Sequence, residues 1–306
     1  MKIKNVAQMT FKELPHLIVT GSTGQLGGLV VRALVEYYPA ERIVATTRVP
    51  EQADELRALG VQVRWADYDK PESLAEAFAG VGRILVISSN ARAYGEDPIA
   101  QHQAVFSAAQ KAGAQRIVFT SQMAASASSA FPPMHDYAAS EALLENCGVP
   151  FTILRNGFYA TSGIQILEEA LATGQLTTAP DGKISWVAHA DLAEAAALIL
   201  AGEAQFEGVT PPFTGPEALD FTDLAALASE FLNQKVTHHI LSDEEMRAPF
   251  SARGIPETVI KMVLGLYLGA RNNEWSTVDP TLQKLLGRPL LTMREQLEHQ
   301  AGKWSS

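Results

Sequence analysis

From His16 onward, short apolar and β-branched runs alternate with segments of helical period, the pattern of repeated β-α-β units around a parallel sheet. Leu17-Ile18-Val19-Thr20 predicts a first strand, and Leu26, Val30, Ala33, Leu34 and Tyr37 recur on one face of the helix after it. Ile43 to Thr47 predicts the second strand, Gln52 to Leu59 a helix stopped at Gly60, and the alternation of Val61, Val63 and Trp65 a third strand. Asp69 is placed to cap the next helix, with Pro71 in its first turn and Leu74, Ala77 and Phe78 facing inward ahead of Gly80. Arg83 to Ile87 predicts strand four, Ile99, Val105, Phe106 and Ala109 a helix ending near Gly113, and Ile117 to Thr120 strand five. Met123 to Ala130 is rich in Ala and Ser without a period, and Pro132-Pro133 closes it as a loop. A helix over Asp136 to Asn146 then leads to strand six, Phe151 to Leu154.

After Tyr159 the strict alternation lapses. Thr161 to Leu176 and most of the chain from Phe213 onward read as a smaller domain. Ile184 to Ala201 returns to the main one, with Asp191 capping a helix that carries Leu192, Ala195, Ala196 and Ile199. The expected organisation is an N-terminal extension over 1–15, a doubly wound α/β domain over 16–157 and 184–212, and a smaller α/β domain over 158–183 and 213–306.

Composition narrows the partners. A formal net charge of −10 argues against a nucleic-acid surface or an anionic membrane as main partner. No stretch approaches the roughly 18 uninterrupted apolar residues that span a bilayer. Met1 to Pro15 carries basic residues without the apolar segment of a secretory leader, and reads as a short extension with Met9 as a second candidate start. The single cysteine, Cys147, cannot form an internal disulfide and suits a reducing compartment, so a cytoplasmic protein is expected. The expected partner is a small molecule, with no nucleic acid and no membrane, and both monomer and homodimer remain open.

Candidate chemistry begins at Val19-Thr20-Gly21-Ser22-Thr23-Gly24-Gln25-Leu26-Gly27, where strand gives way to helix. A pyrophosphate there meets backbone N–H groups and the positive end of the helix, and glycine permits the tight turn. The spacing is G-x-x-G-x-x-G rather than the commoner G-x-G-x-x-G, so the weight lies in the context of the β/α units that follow. At the end of strand two an acidic residue would accept from a ribose 2′-hydroxyl and favour NAD. Here stands Arg48, whose guanidinium suits a 2′-phosphate and predicts NADP(H). Asp67-Tyr68, after strand three, is placed to border the adenine through a carboxylate and a ring, against the plainer reading of an Asp turn with a core tyrosine.

With that turn, Arg48, Ala66-Asp67-Tyr68, Ile87-Ser88-Ser89 and Leu154-Arg155-Asn156-Gly157-Phe158-Tyr159, the chain resembles the NmrA-like atypical short-chain dehydrogenases/reductases, nearest their bacterial NADPH:quinone oxidoreductase and triphenylmethane reductase branch. The similarity runs from Leu17 to the final helix, through Thr214-Gly215 and Leu285-Leu286-Gly287-Arg288-Pro289. The resemblance implies a Rossmann-type sheet of order 3-2-1-4-5-6 with a small substrate-binding domain. It also implies that Gly21 to Gly27 hold the pyrophosphate, Arg48 the 2′-phosphate, and Asp67 and Tyr68 the adenine. Ser88 and Ser89 would line the ribose and phosphates, and Asn156, Gly157 and Phe158 would approach the nicotinamide.

Active members of the larger superfamily use Tyr-x-x-x-Lys on the helix before strand six, the lysine lowering the tyrosine pKa. This chain has Tyr137-Ala138-Ala139-Ser140-Glu141, whose spacing keeps Tyr137 and Glu141 on one helical face but sets a carboxylate where it disfavours phenolate. The related quinone and dye reductases also lack that lysine. A simple ketone reduced by hydride becomes a basic alkoxide that needs a positioned proton donor, whereas a quinone spreads the charge and a cationic dye is neutralised. The expected function is hydride transfer from NADPH to a small, conjugated, electron-poor aromatic such as a quinone or cationic dye. Tyr137 and Glu141 are the catalytic candidates, and Met123, His135 and Tyr159 the substrate-facing ones. His102 reads as a core histidine, His189 as a helix lead-in, and His238 and His239 as strand neighbours on opposite faces, so no metal site is expected. A non-enzymatic NADP(H)-sensing regulator is the alternative, and an ether or isoflavone-type reductase a weaker third, because those relatives keep the lysine.

Overall fold

The structure, a computed structural model, describes residues 14–304, so the expected extension up to residue 13 lies outside the described residues. Its elements run β1 (His16–Val19), α1 (Gln25–Leu34), β2 (Ile43–Thr47), α2 (Asp54–Arg57), β3 (Gln62–Trp65), α3 (Pro71–Ala77), β4 (Val81–Val86), α4 (Pro98–Lys111), β5 (Arg116–Gln122), α5 (Pro133–Glu145) and β6 (Phe151–Asn156). They continue through β7 (Phe158–Tyr159), α6 (Ala160–Thr173), β8 (Gln175–Thr178), β9 (Trp186–Val187), α7 (His189–Ala201), β10 (Gly208–Val209), α8 (Phe221–Leu232), β11 (Thr237–Ile240), α9 (Asp243–Ala252), α10 (Glu257–Arg271), α11 (Thr281–Leu286) and α12 (Met293–Trp304).

The chain divides into two compact units of similar length. Met1–Ser121, Ser140–Leu154 and Ala193–Thr210 form the first; Gln122–Ala139, Arg155–Leu192 and Pro211–Ser306 form the second. Residues 122–139 and 184–192 thus group with the second unit, whereas their pattern in the sequence suggested the first. Met123 donates its N–H to the Asn156 carbonyl at 2.8 Å, and the Ser185 hydroxyl reaches Met123 Sδ at 3.7 Å and the Trp275 carbonyl at 3.0 Å.

The first unit carries the large sheet, in the order β10-β6-β5-β4-β1-β2-β3. The expected 3-2-1-4-5-6 arrangement is present, extended by the short edge strand β10. β1 pairs in parallel with β2 and β4, β2 with β3, β4 with β5, and β6 with β10. All five residues of β2 are buried, as are Leu17, Ile18 and Val19 of β1, which is why these runs read as unbroken apolar stretches. α1 lays Leu26, Val30, Val31 and Leu34 against the core.

Several local expectations differ. α1 ends at Leu34, so Tyr37 lies beyond it and is exposed, while the neighbouring Tyr38 donates its hydroxyl to the Pro15 carbonyl at 2.8 Å. The helix expected over Gln52 to Leu59 is a 3-10 turn at Pro50–Gln52 followed by the single-turn α2. Asp69 does not cap α3: Lys70 stands at that position without a side-chain bond, and the Asp69 carboxylate accepts from Gln101 Nε2 at 2.7 Å. Pro133 opens α5 rather than closing a loop, its missing N–H being harmless in a first turn. α7 begins at His189, which puts Asp191 inside its first turn. That fully buried carboxylate is neutralised within the second unit, accepting the Leu291 N–H at 2.9 Å and lying 2.8 Å from Arg288 Nη1.

The second unit has its own core, in which Ile164 and Leu167 of α6, Phe221 and Leu224 of α8, Trp186, Trp275 and Met293 pack together. Two parallel pairs, β8 with β11 and β7 with β9, complete it. Gly215 sits where a Cβ would fall 1.7 Å from the Trp186 carbonyl oxygen, a position no side chain can take. Gly215→Ala is therefore expected to destabilise the protein by about 3 kcal/mol through overpacking against backbone, measured as a lowered midpoint of urea unfolding.

Candidate functional site

In the first unit the glycine turn is built from backbone. Gly21 takes φ +58°, a conformation that favours glycine, and lets the chain reverse directly after β1. The Ser22 N–H then donates to the Thr46 carbonyl at 3.0 Å and the Ser22 hydroxyl to the Val19 carbonyl at 2.7 Å, tying the turn to β2 and β1. A Cβ on Gly27 would lie 2.4 Å from the Gly21 carbonyl oxygen, so only glycine lets the first turn of α1 lie this close to the loop. Gly24 precedes α1 with no side-chain cap, and no acidic residue occupies its first turn. The positive helix end therefore meets the turn with neither a carboxylate nor a capping hydroxyl in competition, the arrangement that suits a diphosphate.

Thr20 anchors this loop from below. Its Oγ1 accepts the Ile87 N–H at 2.9 Å and lies 2.5 Å from the Tyr68 hydroxyl, which is also 3.0 Å from the Ile87 carbonyl. Burial pushes the Tyr68 phenol far above the usual tyrosine range, so it remains a neutral donor. Its oxygen ties the residue after β1 to the residue after β4. Asp67 forms an Asp turn, accepting the Asp69 N–H at 3.1 Å, with Lys70 Nζ at 4.0 Å. Thr23 and Thr47 share a hydroxyl bond of 2.9 Å that holds the end of β2 beside the turn, and Arg48 follows immediately, exposed and without an ion pair among the described residues.

Ser88 and Ser89 follow β4 and knot the strand end. The Ser88 N–H donates to Thr120 Oγ1 and the Ser89 N–H to His102 Nε2, both at 2.8 Å. With Nε2 accepting, the imidazole hydrogen is assigned to Nδ1, which faces Ser140 Oγ at 2.7 Å. His102 is accordingly the satisfied core histidine expected. The Ser89 hydroxyl donates to Gln101 Oε1, and Gln101 reaches on to Asp69. Glu141 is buried, and its Oε1 accepts the Ser121 hydroxyl at 2.6 Å.

The second unit holds the other candidates. Asn156 is buried with its Oδ1 lacking a hydrogen-bond partner. Gly157 gives its N–H to the Phe213 carbonyl at 2.8 Å, and a Cβ there would fall 3.0 Å from the Phe213 carbonyl oxygen, 3.2 Å from that of Ser185 and 3.3 Å from Val187, tighter than ordinary contact. Phe158 packs edge-on to Trp186 and Trp275, with centroids 5.8 and 5.3 Å away, and Phe131 lies 6.0 Å from Phe158. Half-buried Met123, Phe131 and Phe158 border this aromatic core. His135 is exposed and its Nε2 lies 2.9 Å from the Ser129 carbonyl, apart from Tyr159 in its contacts.

Tyr159 was expected to face substrate, but its partner was not foreseen. Its ring lies against that of His189, with centroids 4.1 Å apart and planes tilted by 39°. Desolvation takes His189 down to about 4, and its Nδ1 lies 3.5 Å from Thr161 Oγ1. Burial drives the Tyr159 phenol well above the usual range, neighbouring Tyr137 adds to the rise, and the Asn156 side chain opposes it. A histidine opening a helix carries no periodic signal, so only the assembled structure brings His189 to Tyr159.

The NmrA-like family profile matches residues 15–280. Quinone oxidoreductase 2 of Escherichia coli (strain K12) is 34% identical over 284 residues, covering 92% of this chain and 98% of the relative. Its crystal structure, complexed with NADPH, has a TM-score of 0.84 and covers 92% of this chain and 99% of that one. Citrobacter sp. triphenylmethane reductase, complexed with NADP(H), is also 34% identical, with a TM-score of 0.80 over 93% of this chain and 99% of its own. NAD(P)H azoreductase of Xenophilus azovorans is 27% identical over 281 residues, covering 91% and 96% of the two chains.

His189 also makes a thermodynamic prediction. The folded protein keeps the imidazole neutral down to about 4, while the unfolded chain takes up its proton near 6.5. Its contribution is complete above pH 6.5 and is lost as pH falls toward 4. The loss amounts to about 3 kcal/mol at most. Urea titrations of wild type and His189→Asn should show stabilities that converge across that window, the variant losing less with acid; parallel curves would contradict the assignment.

Proposed function

The chain belongs to the NmrA-like family, and from that membership we propose that it is an NADPH-dependent oxidoreductase passing hydride to a conjugated, electron-poor aromatic such as a quinone or a cationic dye. The observation that carries this reading is the uncapped, acid-free start of α1 held against a loop that a Cβ at Gly27 would fill. The backbone amides of the turn hold the cofactor diphosphate, and the exposed Arg48 guanidinium, with no carboxylate paired to it among the described residues, takes the 2′-phosphate. Bound there, the dihydronicotinamide supplies hydride; every remaining task falls to the chain.

Tyr68 and Thr20 keep the loop rigid, so the amides need no reorganisation when the phosphates arrive. Ser88 and Ser89 fix the strand end beside it. Buried Glu141, in place of the superfamily lysine, gives no help to a Tyr137 phenolate, which disfavours simple ketones as substrates. Asn156, Phe158 and the half-buried apolar side chains Met123 and Phe131 are our choice for the acceptor surface, where an aromatic ring is held by stacking and exclusion of water. The quinone reductase, dye reductase and azoreductase relatives support the acceptor class. A small soluble acceptor in a reducing cytoplasm suits the negative chain and its free Cys147.

Purified protein is expected to accelerate oxidation of NADPH by members of a panel of quinones and cationic triphenylmethane dyes. Arg48→Ala should raise KM for NADPH by roughly 10- to 100-fold, the loss of a charge-assisted contact, and change KM for NADH by less than about three-fold. Tight NADPH binding with no turnover of any acceptor would overturn the reductase reading in favour of an NADP(H)-sensing regulator.

A further inference from the structure

The chain from Met123 to Pro132 joins β5 to α5 without regular secondary structure, and its Ala and Ser side chains offer little to pack, so its order must come from what holds it. Where it leaves β5, Met123 gives its N–H to the Asn156 carbonyl at 2.8 Å, and the Ser185 hydroxyl lies 3.7 Å from Met123 Sδ. At the tip a single carboxylate holds it. Half-buried Glu274 accepts the Ser129 hydroxyl through one oxygen and the Ala130 N–H, at 2.9 Å, through the other. The Ser129 oxygen in turn accepts the Phe131 N–H at 3.1 Å, so three consecutive residues are fixed from one side chain. Gly265 of α10 lies against the same tip: a Cβ there would stand 2.8 Å from the Ala130 carbonyl oxygen.

Glu274 is aimed by its own backbone. Just past α10, Asn273 takes φ +60°, one of two non-glycine residues in the left-handed region among the described residues. The Asn273 N–H closes on the Ala270 carbonyl at 2.9 Å and the Glu274 N–H on that of Gly269 at 3.0 Å, the paired bonds that stop a helix and turn the chain aside. Trp275 follows, fully buried, its ring 5.9 Å from Phe131 and 5.3 Å from Phe158. Neighbouring residues thus grip the loop twice, Glu274 by its backbone and Trp275 by the Phe131 ring.

We infer that Glu274 is a positioning residue for the acceptor: it pins the loop tip so that Phe131 stands with Phe158 as a fixed wall of the acceptor surface. This role rests on the reductase reading and on the acceptor surface proposed with it. Glu274 acts through the loop, ordering the tip before an aromatic ring arrives so that binding does not incur that entropy. A carboxylate suits the task because hydrogen bonds to a charged acceptor are stronger than those between neutral groups. Loosening the tip therefore weakens acceptor binding and leaves the chemical step alone.

The test compares the full chain with Glu274→Ala, Glu274→Gln and Ser129→Ala, all with NADPH and a quinone. Glu274→Ala should raise KM for the quinone by about ten-fold, with kcat and KM for NADPH each changed by less than about three-fold. Glu274→Gln, whose amide can accept from Ala130 and donate to the Ser129 oxygen, should recover most of the loss. Ser129→Ala should give a milder rise and add little to Glu274→Ala, because both cut the same bond. Hydrogen exchange reads the tip independently of turnover: the Ala130 and Phe131 amides should exchange at least about ten-fold faster in Glu274→Ala, the scale of a lost bond to a charge, while β5 keeps its protection. Unchanged exchange at the tip, faster exchange with an unchanged quinone KM, or a KM for NADPH that rises with that for the quinone overturns the assignment and leaves the reductase reading intact. A wild-type protein that reduces no quinone or dye overturns both.

Discussion

The approach of α1 to the carbonyl of Gly21 is the constraint on which the proposed nucleotide site depends. A helix normally keeps its first turn clear of the loop before it by at least the width of a side chain. Here Gly27 removes that width, and the gap to the Gly21 oxygen is smaller than any Cβ tolerates. The amides at the start of α1 are thereby brought beside a loop whose other contacts, Ser22 to Val19 and Thr46 and Thr20 to Ile87, are all internal. The loop is preorganised: its hydrogen bonds are made without a ligand, and its uncapped amides are the groups left for one.

The second unit contributes a different kind of order. Its core is a run of aromatic contacts from Phe131 through Phe158, Trp275 and Trp186 to Phe221 and Tyr267. Edge-to-face rings fix one another's orientation as well as filling space. The Tyr159 and His189 rings lie together in the same unit, and burial keeps the phenol and the imidazole neutral near pH 7.

The sequence made the large sheet legible because its central strands β1, β2, β4 and β5 are largely buried and read as apolar runs separated by helical periods, while the more exposed β3 showed as an alternation. Gly21, Gly24 and Gly27 were legible for the same local reason, a strand followed directly by a helix. Side chains that act across long separations were not. Asp69 and Asp191 both looked like helix caps from spacing alone, yet one serves Gln101 and the other Leu291 and Arg288, partners that no window of neighbouring residues contains. His189 meets Tyr159 from thirty positions further along the chain, beyond α6, β8 and β9, and Tyr68 spends its hydroxyl on Thr20 rather than on anything near it in the chain. Tyr37 was assigned inward because the helical period was continued beyond Leu34, where the helix has already ended. Glu141 was visible as an anomaly, but its burial against Ser121 was not.

The claim that the whole account needs is that the α1 loop grips a dinucleotide diphosphate through its close glycine packing. Calorimetric titration of wild type and Gly27→Ala with NADPH addresses it directly. The account predicts one site per chain in wild type and affinity weakened at least about ten-fold in a variant that remains folded, since the added methyl must push the amides away from the phosphates. Equal affinity in the two proteins, or no heat of binding in wild type, would contradict it.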